Sequence, residues 1–334
     1  MKERLLMDLQ RFAELNTQTT GAAALAPEMK TYYEKKLLEN ASPNLVHNQF
    51  GDKYPIPKAG GKMIEWRKFT PLPKALTPLT EAVTPDGNSM KVEALTAQVK
   101  QYGDYISQSD MLEMTAIDNT ILQATKLLGN QAGETMDTLT REELHGGTNV
   151  FYAPKVAADG TQTPVTGRGD LDGTALMTVP VIVKIAAWLR TNNIKTVNGG
   201  SYVAIIHPLV EAELINSKGF IDVVNYSRPE DIYDGEVGKL GGVRFVRSSE
   251  AKVVMEAGQA VFCTLFIGNG AYGVTEIEGG GLEHIVKQRG YGEDPLNQRS
   301  AVGWKATHAA KRLNEKAIIR LEHCIGDSTG VVVN

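Results

Sequence analysis

Two hydrophobic periods divide this chain, a period of two in short stretches and a helical period in longer ones. In Lys62-Met-Ile-Glu-Trp-Arg-Lys-Phe69, Ile64 and Trp66 fall on one face of a strand. In Glu93–Lys100, Leu95, Ala97 and Val99 alternate with Thr96, Gln98 and Lys100, which predicts a second strand. The connection between them is polar and holds Pro71, Pro73, Pro78 and Pro85, with a turn at Asp86-Gly87. A two-stranded ribbon is marginal by itself in water, because half of each strand's pairing partners are missing. It has to pack on something else, either its own domain or a neighbouring subunit.

Residues 1–50 read as an extended arm with one helix. Thr17 to Ala26 is mostly small and polar, and Pro27 opens a helical stretch from Glu28 to Asn40 with Met29, Tyr32, Tyr33 and Leu37 at helical spacing. A segment with so little to bury needs another surface to order it. Further on, Ser107 or Ser109 is placed to cap a short helix through Met114, and Asp118 a long one over Thr120–Leu144. In the long helix Ile121, Leu128, Ala132, Met136 and Leu139 form an apolar stripe, opposite Lys126, Asn130, Glu134 and Thr138. His145-Gly146-Gly147 ends it.

Residues 150–172 form a loop rich in Gly, Thr and Asp, and 175–278 read as an α/β unit. Thr178 caps a helix with Pro180 in its first turn and Val181, Ile182, Ile185, Ala186 and Leu189 on its buried side. Tyr202–Ile206 is apolar throughout, as central strands are, and Ala260–Gly268 reads as a further buried strand. His207-Pro208 starts a helix through Ile215, and Gly242–Arg247 alternates as a strand. Three more strands follow, over Leu282–Gln288, Val302–Ala309 and Ala317–Cys324.

Composition narrows the function. The net charge of −4, from 35 basic against 39 acidic residues, is too balanced for a chain that grips nucleic acid along its length. The two cysteines, Cys263 and Cys324, are far apart and read as buried thiols in a reducing compartment. No apolar run reaches the roughly 18 residues that span a bilayer. Asp8 interrupts the stretch where a signal peptide would be apolar, so a cytosolic protein without membrane contact is expected.

The chemistry-bearing motifs are few. There is no G-x-S-x-G elbow and no phosphate loop. Gly268-Asn-Gly-Ala-Tyr-Gly273 has dinucleotide-loop spacing, but Val274–Glu278 after it alternates as a strand, whereas such a site needs a helix. It reads as a turn, and so does Gly279-Gly280-Gly281. The six histidines show no zinc-ligand spacing, and the neighbours in Glu283-His284 and Glu322-His323 point to opposite strand faces. No catalytic, cofactor or metal residue is nominated. Lys62, Arg67, Lys68 and Lys74 cluster on the hairpin, where they fit acidic patches of a neighbouring subunit or serve as guards against wrong strand pairing.

Four stretches resemble a known family. Tyr54-Pro-Ile-Pro57, Gly60–Phe69 and Leu79–Gly87 look like an extended loop, and Gln101–Asp110 like the approach to a spine helix. His207-Pro208 with Lys239–Val246 resembles an axial domain, and Asp294–Gln298 with Gly303-Trp-Lys305 the last strands of a peripheral domain. In this order they resemble the major capsid proteins of tailed phages with the Hong Kong 97-type fold, within them the family typified by the coliphage N-four capsid protein.

The resemblance implies an α+β fold with an N-terminal arm (1–50), an extended β-hairpin loop (51–105), and a spine helix with part of the peripheral domain (106–172). A mainly axial domain (173–278) and C-terminal peripheral strands (279–334) complete it. It implies a structural protein, not an enzyme, with no cofactor, that forms pentamers and hexamers of an icosahedral head around double-stranded DNA. Ile64, Trp66, Arg67, Phe69 and Lys74 are the expected inter-subunit contacts. The expected partners are other copies of the chain, a portal protein, a separate scaffolding or decoration protein, and packaged DNA through non-specific contact. The expected place is the virion, after assembly in the host cytoplasm. About fifty residues precede the loop, too few for a long cleavable scaffold domain, so if assembly needs a scaffold a separate protein is expected to provide it. Two alternatives are an encapsulin-like cellular compartment and a soluble α/β enzyme centred on 175–278.

Overall fold

The computed structural model describes residues 17–19, 46–79, 81, 83–84, 86–115, 120–157, 160–197, 200–217, 239–256, 258–289 and 296–326. The stretch read as a helix over Glu28–Asn40 and the capping position Asp118 lie outside them. In chain order the first elements are β1 (Thr17–Thr19), β2 (Asp52–Lys53), β3 (Met63–Phe69), β4 (Val92–Gln98), β5 (Lys100–Ser109), α1 (Asp110–Thr115) and α2 (Thr120–His145). There follow β6 (Val150–Tyr152), β7 (Lys155–Val156), β8 (Gln162–Thr163), α3 (Val179–Thr191), β9 (Tyr202–Ile206), α4 (Pro208–Asn216), β10 (Lys239–Leu240) and β11 (Val243–Arg247). The last are β12 (Val253–Glu256), β13 (Gln259–Ile267), β14 (Tyr272–Thr275), β15 (Glu283–Lys287), β16 (Arg299–Arg312) and β17 (Ile318–His323).

The chain forms two compact units. The larger, which comprises 45–100, 134–280 and 307–334, is built on a seven-stranded sheet of order β10-β11-β9-β13-β17-β6, with β12 also on β13. β9 lies parallel to β11 and antiparallel to β13. All five residues of β9 are buried, and they divide between two cores. Tyr202, Ala204 and Ile206 join Ile182, Ile185, Ala186 and Leu189 of α3 and Val210 and Leu214 of α4. Val203 and Ile205 join Leu144 of α2 on the other face. A strand covered on both faces has no solvent side to show, and so Tyr202–Ile206 is an unbroken apolar run and β13 is buried from Ala260 to Ile267, with Thr264 as its one polar residue there.

In α3 the five residues expected on its buried side are the five that are buried. Thr178 takes the N-cap position there, but its side chain makes no capping hydrogen bond, contrary to expectation. In α4 the His207 ring does cap, accepting from the Leu209 N–H at 3.2 Å.

The smaller unit comprises 1–44, 101–133 and 281–306. In it β5 lies between β1 and β16, and β15 pairs antiparallel with β16. The stretch that resembles the approach to a spine helix is for the most part a ten-residue strand, β5, which carries Gly103. The glycine is required by a neighbour, because a Cβ there would lie 2.5 Å from the Trp304 carbonyl oxygen. Across the pair, a Cβ on Gly303 would lie 2.8 Å from Tyr105 Cβ. Gly103→Ala should therefore force the two strands apart and destabilise the fold by about 1–3 kcal/mol, read from denaturant unfolding. An unchanged midpoint would show that the strands yield freely.

The phase of α2 also differs from expectation. Leu128 and Ala132 are buried as expected, but Met136 and Leu139 are only half-buried. The buried positions of its last turns are Asp137, Thr140, Arg141, Leu144 and His145. The residue 150–172 loop holds three short strands, β6, β7 and β8, of which β6 pairs parallel with β17.

A candidate assembly surface

The hairpin belongs to the larger unit. β3 and β4 pair antiparallel over seven residues, from Met63 opposite Gln98 to Phe69 opposite Val92, and form a sheet of their own. Little covers it. Of the seventeen large hydrophobic side chains exposed among the described residues, eight lie between Met63 and Val92, including Phe69 at 59%, Leu76 at 82% and Met90 at 75%. Apolar exposure concentrated in one segment marks an interaction surface, whereas scattered single residues do not.

The five candidate contact residues fall on different sides. Arg67 and Phe69 are exposed, and Arg67 Nε donates to Glu65 Oε1 at 2.8 Å. Lys74 is exposed in the connecting segment. Ile64 and Trp66 are half-buried on the opposite face of β3, and across from them stand Ala97 and Leu95.

The chain entering the hairpin is fixed by a buried polar network that the apolar pattern could not reveal. Asp137 of α2 accepts from the His47 backbone N–H at 2.7 Å and from Nδ1 of its ring at 2.6 Å, with both side chains fully buried. Thr140 Oγ1 donates to Asn48 Oδ1 at 2.5 Å. That uses its one hydrogen, so His308 Nε2, 2.9 Å away, donates to it and the ring is protonated on that nitrogen. The buried Tyr272 hydroxyl donates to the His47 carbonyl, and burial pushes its ionisation up. Beyond this anchor, the Tyr54 N–H bonds to the Val274 carbonyl at 2.9 Å and the Ile56 N–H to that of Glu276 at 2.8 Å. The hairpin therefore leaves from a pinned base.

Arginines close the C-terminal end of α2, where carbonyls lack helical partners. Arg312 Nη1 donates to the Glu143 carbonyl at 3.2 Å, and Arg320 Nη1 to that of His145. Arg320 Nε also donates, at 2.8 Å, to Glu322, a fully buried carboxylate that receives Arg168 as well. Burial pushes the Glu322 carboxyl up, but the two guanidiniums outweigh it and hold it below the usual range. Cys263 and Cys324 are free and buried, and burial raises their thiols to about 12 and about 11.

Among the described residues no group of three or more His, Cys, Asp or Glu side chains is arranged to hold a metal, and no helix is long and apolar enough to cross a membrane. A cleft of about 610 Å³ in the larger unit is lined chiefly by Lys53, Asn193, Lys195, Asn269 and Asn314, with Asp52 as its one carboxylate.

Comparison with known proteins fits a shell component. A family model described as phage capsid protein matches residues 92–321, well over half of the chain. No curated protein matches it. Among solved structures, the capsid of cyanophage Pam1 is similar at a TM-score of 0.62 and 13% identity, covering 98% of this chain and 100% of that one. The capsid of Ralstonia phage GP4 is similar at 0.62 and 17%, covering 85% and 90%. The capsid of cyanophage P-SCSP1u is similar at 0.62 and 14%, covering 84% and 88%. The α+β architecture is thus the Hong Kong 97-type capsid fold. Taken with the exposed hairpin on its pinned base, the family match over most of the described chain places this protein in the phage capsid protein family, as a major structural component of the virion that assembles with copies of itself.

Proposed function

We propose that the chain forms pentamers and hexamers of an icosahedral head that encloses double-stranded DNA, and that its hairpin lies across a neighbouring copy. The observation that carries this reading is the uncovered apolar surface between Met63 and Val92. Hydrophobic area is worth about 25 cal/mol per Å² when removed from water, so a chain made in many copies gains by covering it. In this reading residues 1–50 are an arm, 51–105 the extended loop, 106–172 the spine helix with part of the peripheral domain, 173–278 mainly the axial domain and 279–334 peripheral strands. Arg67, Phe69 and Lys74 contact the neighbour, where Lys74 and Arg67 add charge complementarity. The motifs quoted above support the coliphage N-four branch.

A ring of such contacts is heterologous and closes by rotation. The work of the chain is structural and not enzymatic. A portal protein, a separate scaffold or decoration protein, and non-specific contact with DNA complete the set of partners, and assembly takes place in the host cytoplasm.

Expression of the full chain, with and without a scaffold candidate, followed by electron microscopy is the test. Closed particles with fivefold and sixfold capsomers are expected. A species that stays monomeric under every assembly condition would overturn the reading, and particles filled with a packaged enzyme would favour a cellular compartment.

A further inference from the structure

The two faces of the hairpin meet different surroundings. Met63, Glu65, Arg67 and Phe69 are exposed on one, and Val92 and Ala94 continue that face across the pairing. Ile64 and Trp66 occupy the other and are half-buried. The Trp66 ring meets Tyr54 edge-on, with centroids 5.8 Å apart. A Cβ on Gly273 would stand 3.1–3.2 Å from Tyr54, Leu313 and Trp66 at once, so β14 approaches both aromatics more tightly than most Cβ atoms do. Next along β3, Lys68 Nζ donates to Asn314 Oδ1 at 3.3 Å. The Trp66 face is therefore already seated on its own chain, while nothing among the described residues covers the Phe69 face.

We propose that the hairpin is one-sided: Trp66, seated on Tyr54 and Gly273, is a positioning residue that sets the direction in which the hairpin leaves, and the face with Arg67, Phe69 and Val92 is the one a second copy of this chain covers. This rests on the capsid reading and adds which face is used. The occupant is a second copy because the family assembles with itself and the free face is apolar around one paired charge, Arg67 with Glu65. Such a face needs a counter-surface that is apolar at its centre and polar at its rim. Strand alternation forbids Ile64 and Trp66 from reaching that counter-surface.

The test uses the full chain with single added cysteines, against a low background because both native thiols are buried. Phe69→Cys, or Glu65→Cys on the same face if the first impairs assembly, is labelled with a maleimide before and after particles form. Its labelling rate is expected to drop at least about tenfold on assembly, since interface cores exclude water. Ile64→Cys should label slowly in both states. In parallel, Trp66→Ala should give open or misshapen particles while the unfolding midpoint of the dispersed protein changes little, and Trp66→Phe should restore closed ones. Closed particles in which Phe69→Cys and Glu65→Cys label as fast as before assembly would overturn the one-sided docking and leave the capsid reading standing. Closed particles of native size from Trp66→Ala would overturn the positioning role. Failure of the unaltered chain to form particles would defeat the capsid reading and this inference with it.

Discussion

Acidification from about pH 7.5 to about pH 4.5 is expected to cost this protein on the order of 5 kcal/mol of folding stability before most carboxylates are protonated. The cause is two buried histidines. Burial holds His308 down to about 4 and His323 down to about 4, against 6.5 when free. His323 is fully buried, and its Nδ1 faces the Cys324 carbonyl at 3.1 Å while its Nε2 faces the Thr264 hydroxyl at 3.0 Å. The neutral ring, protonated on Nδ1, satisfies both partners.

Because each folded pKa lies below the unfolded one, the unfolded chain binds more protons between about pH 6.5 and about pH 4, and stability falls as pH falls through that window. Each ring contributes roughly 2–3 kcal/mol, at about 1.4 kcal/mol per pKa unit. His145 is also lowered to about 4 by burial, but carbonyls of Arg141 and Cys263 face both its ring nitrogens, at 2.8 and 3.2 Å. An imidazolium could donate to both, so its share is the smallest. Denaturant unfolding of the dispersed protein at the two pH values measures the loss, and His323→Gln should reduce it. Equal midpoints at both pH values would show that the buried rings accept protons without penalty.

Glu322→Ala is expected to destabilise the larger unit by about 3–5 kcal/mol, the usual cost of leaving half of a buried charge network unpaired. Glu322 is fully buried and accepts from Arg168 Nε at 2.7 Å, Arg168 Nη2 at 2.5 Å and Arg320 Nε at 2.8 Å. Arg320 would keep its bond to the His145 carbonyl at the end of α2, but Arg168 would lose the carboxylate that receives its Nε and Nη2. The double variant Arg168→Met with Glu322→Leu should recover much of the loss, because well-packed apolar residues often replace a buried ion pair at little cost. Thermal unfolding of the single and double variants separates the two effects. If the double variant proves as unstable as the single one, packing at this site and not charge pairing is decisive.

The sequence made some parts of this structure readable and hid others for physical reasons. Elements that bury apolar residues on a regular period were visible, such as α3, β9, β11 and β13 and both strands of the hairpin. The last turns of α2 were not, because the residues buried there are polar. Asp137 and Thr140 are satisfied by His47, Asn48 and His308, the last of them 168 positions away. Hydrophobic periodicity carries no information about such a partner. β5 was hidden because its face carries Gly103 for close approach to β16. For the hairpin, alternation alone separated Ile64 and Trp66 from Arg67 and Phe69. That Trp66 is seated on its own chain depended on Tyr54 and Gly273, distant in sequence from each other.

The order of strands in the larger sheet has a kinetic consequence. Arg320 pairs with Val150 and Phe262 with His323, so ladders close only when remote stretches of polypeptide have met. Closing such long loops precedes most of the reward, and topologies of this kind reach the native state in milliseconds to seconds or more slowly. During that interval the leucine- and proline-rich hairpin is already synthesised and sticky. Slow maturation of each protomer thus sets a window in which premature association competes with correct shell building, and a holding factor that shields the hairpin would raise the yield of closed particles.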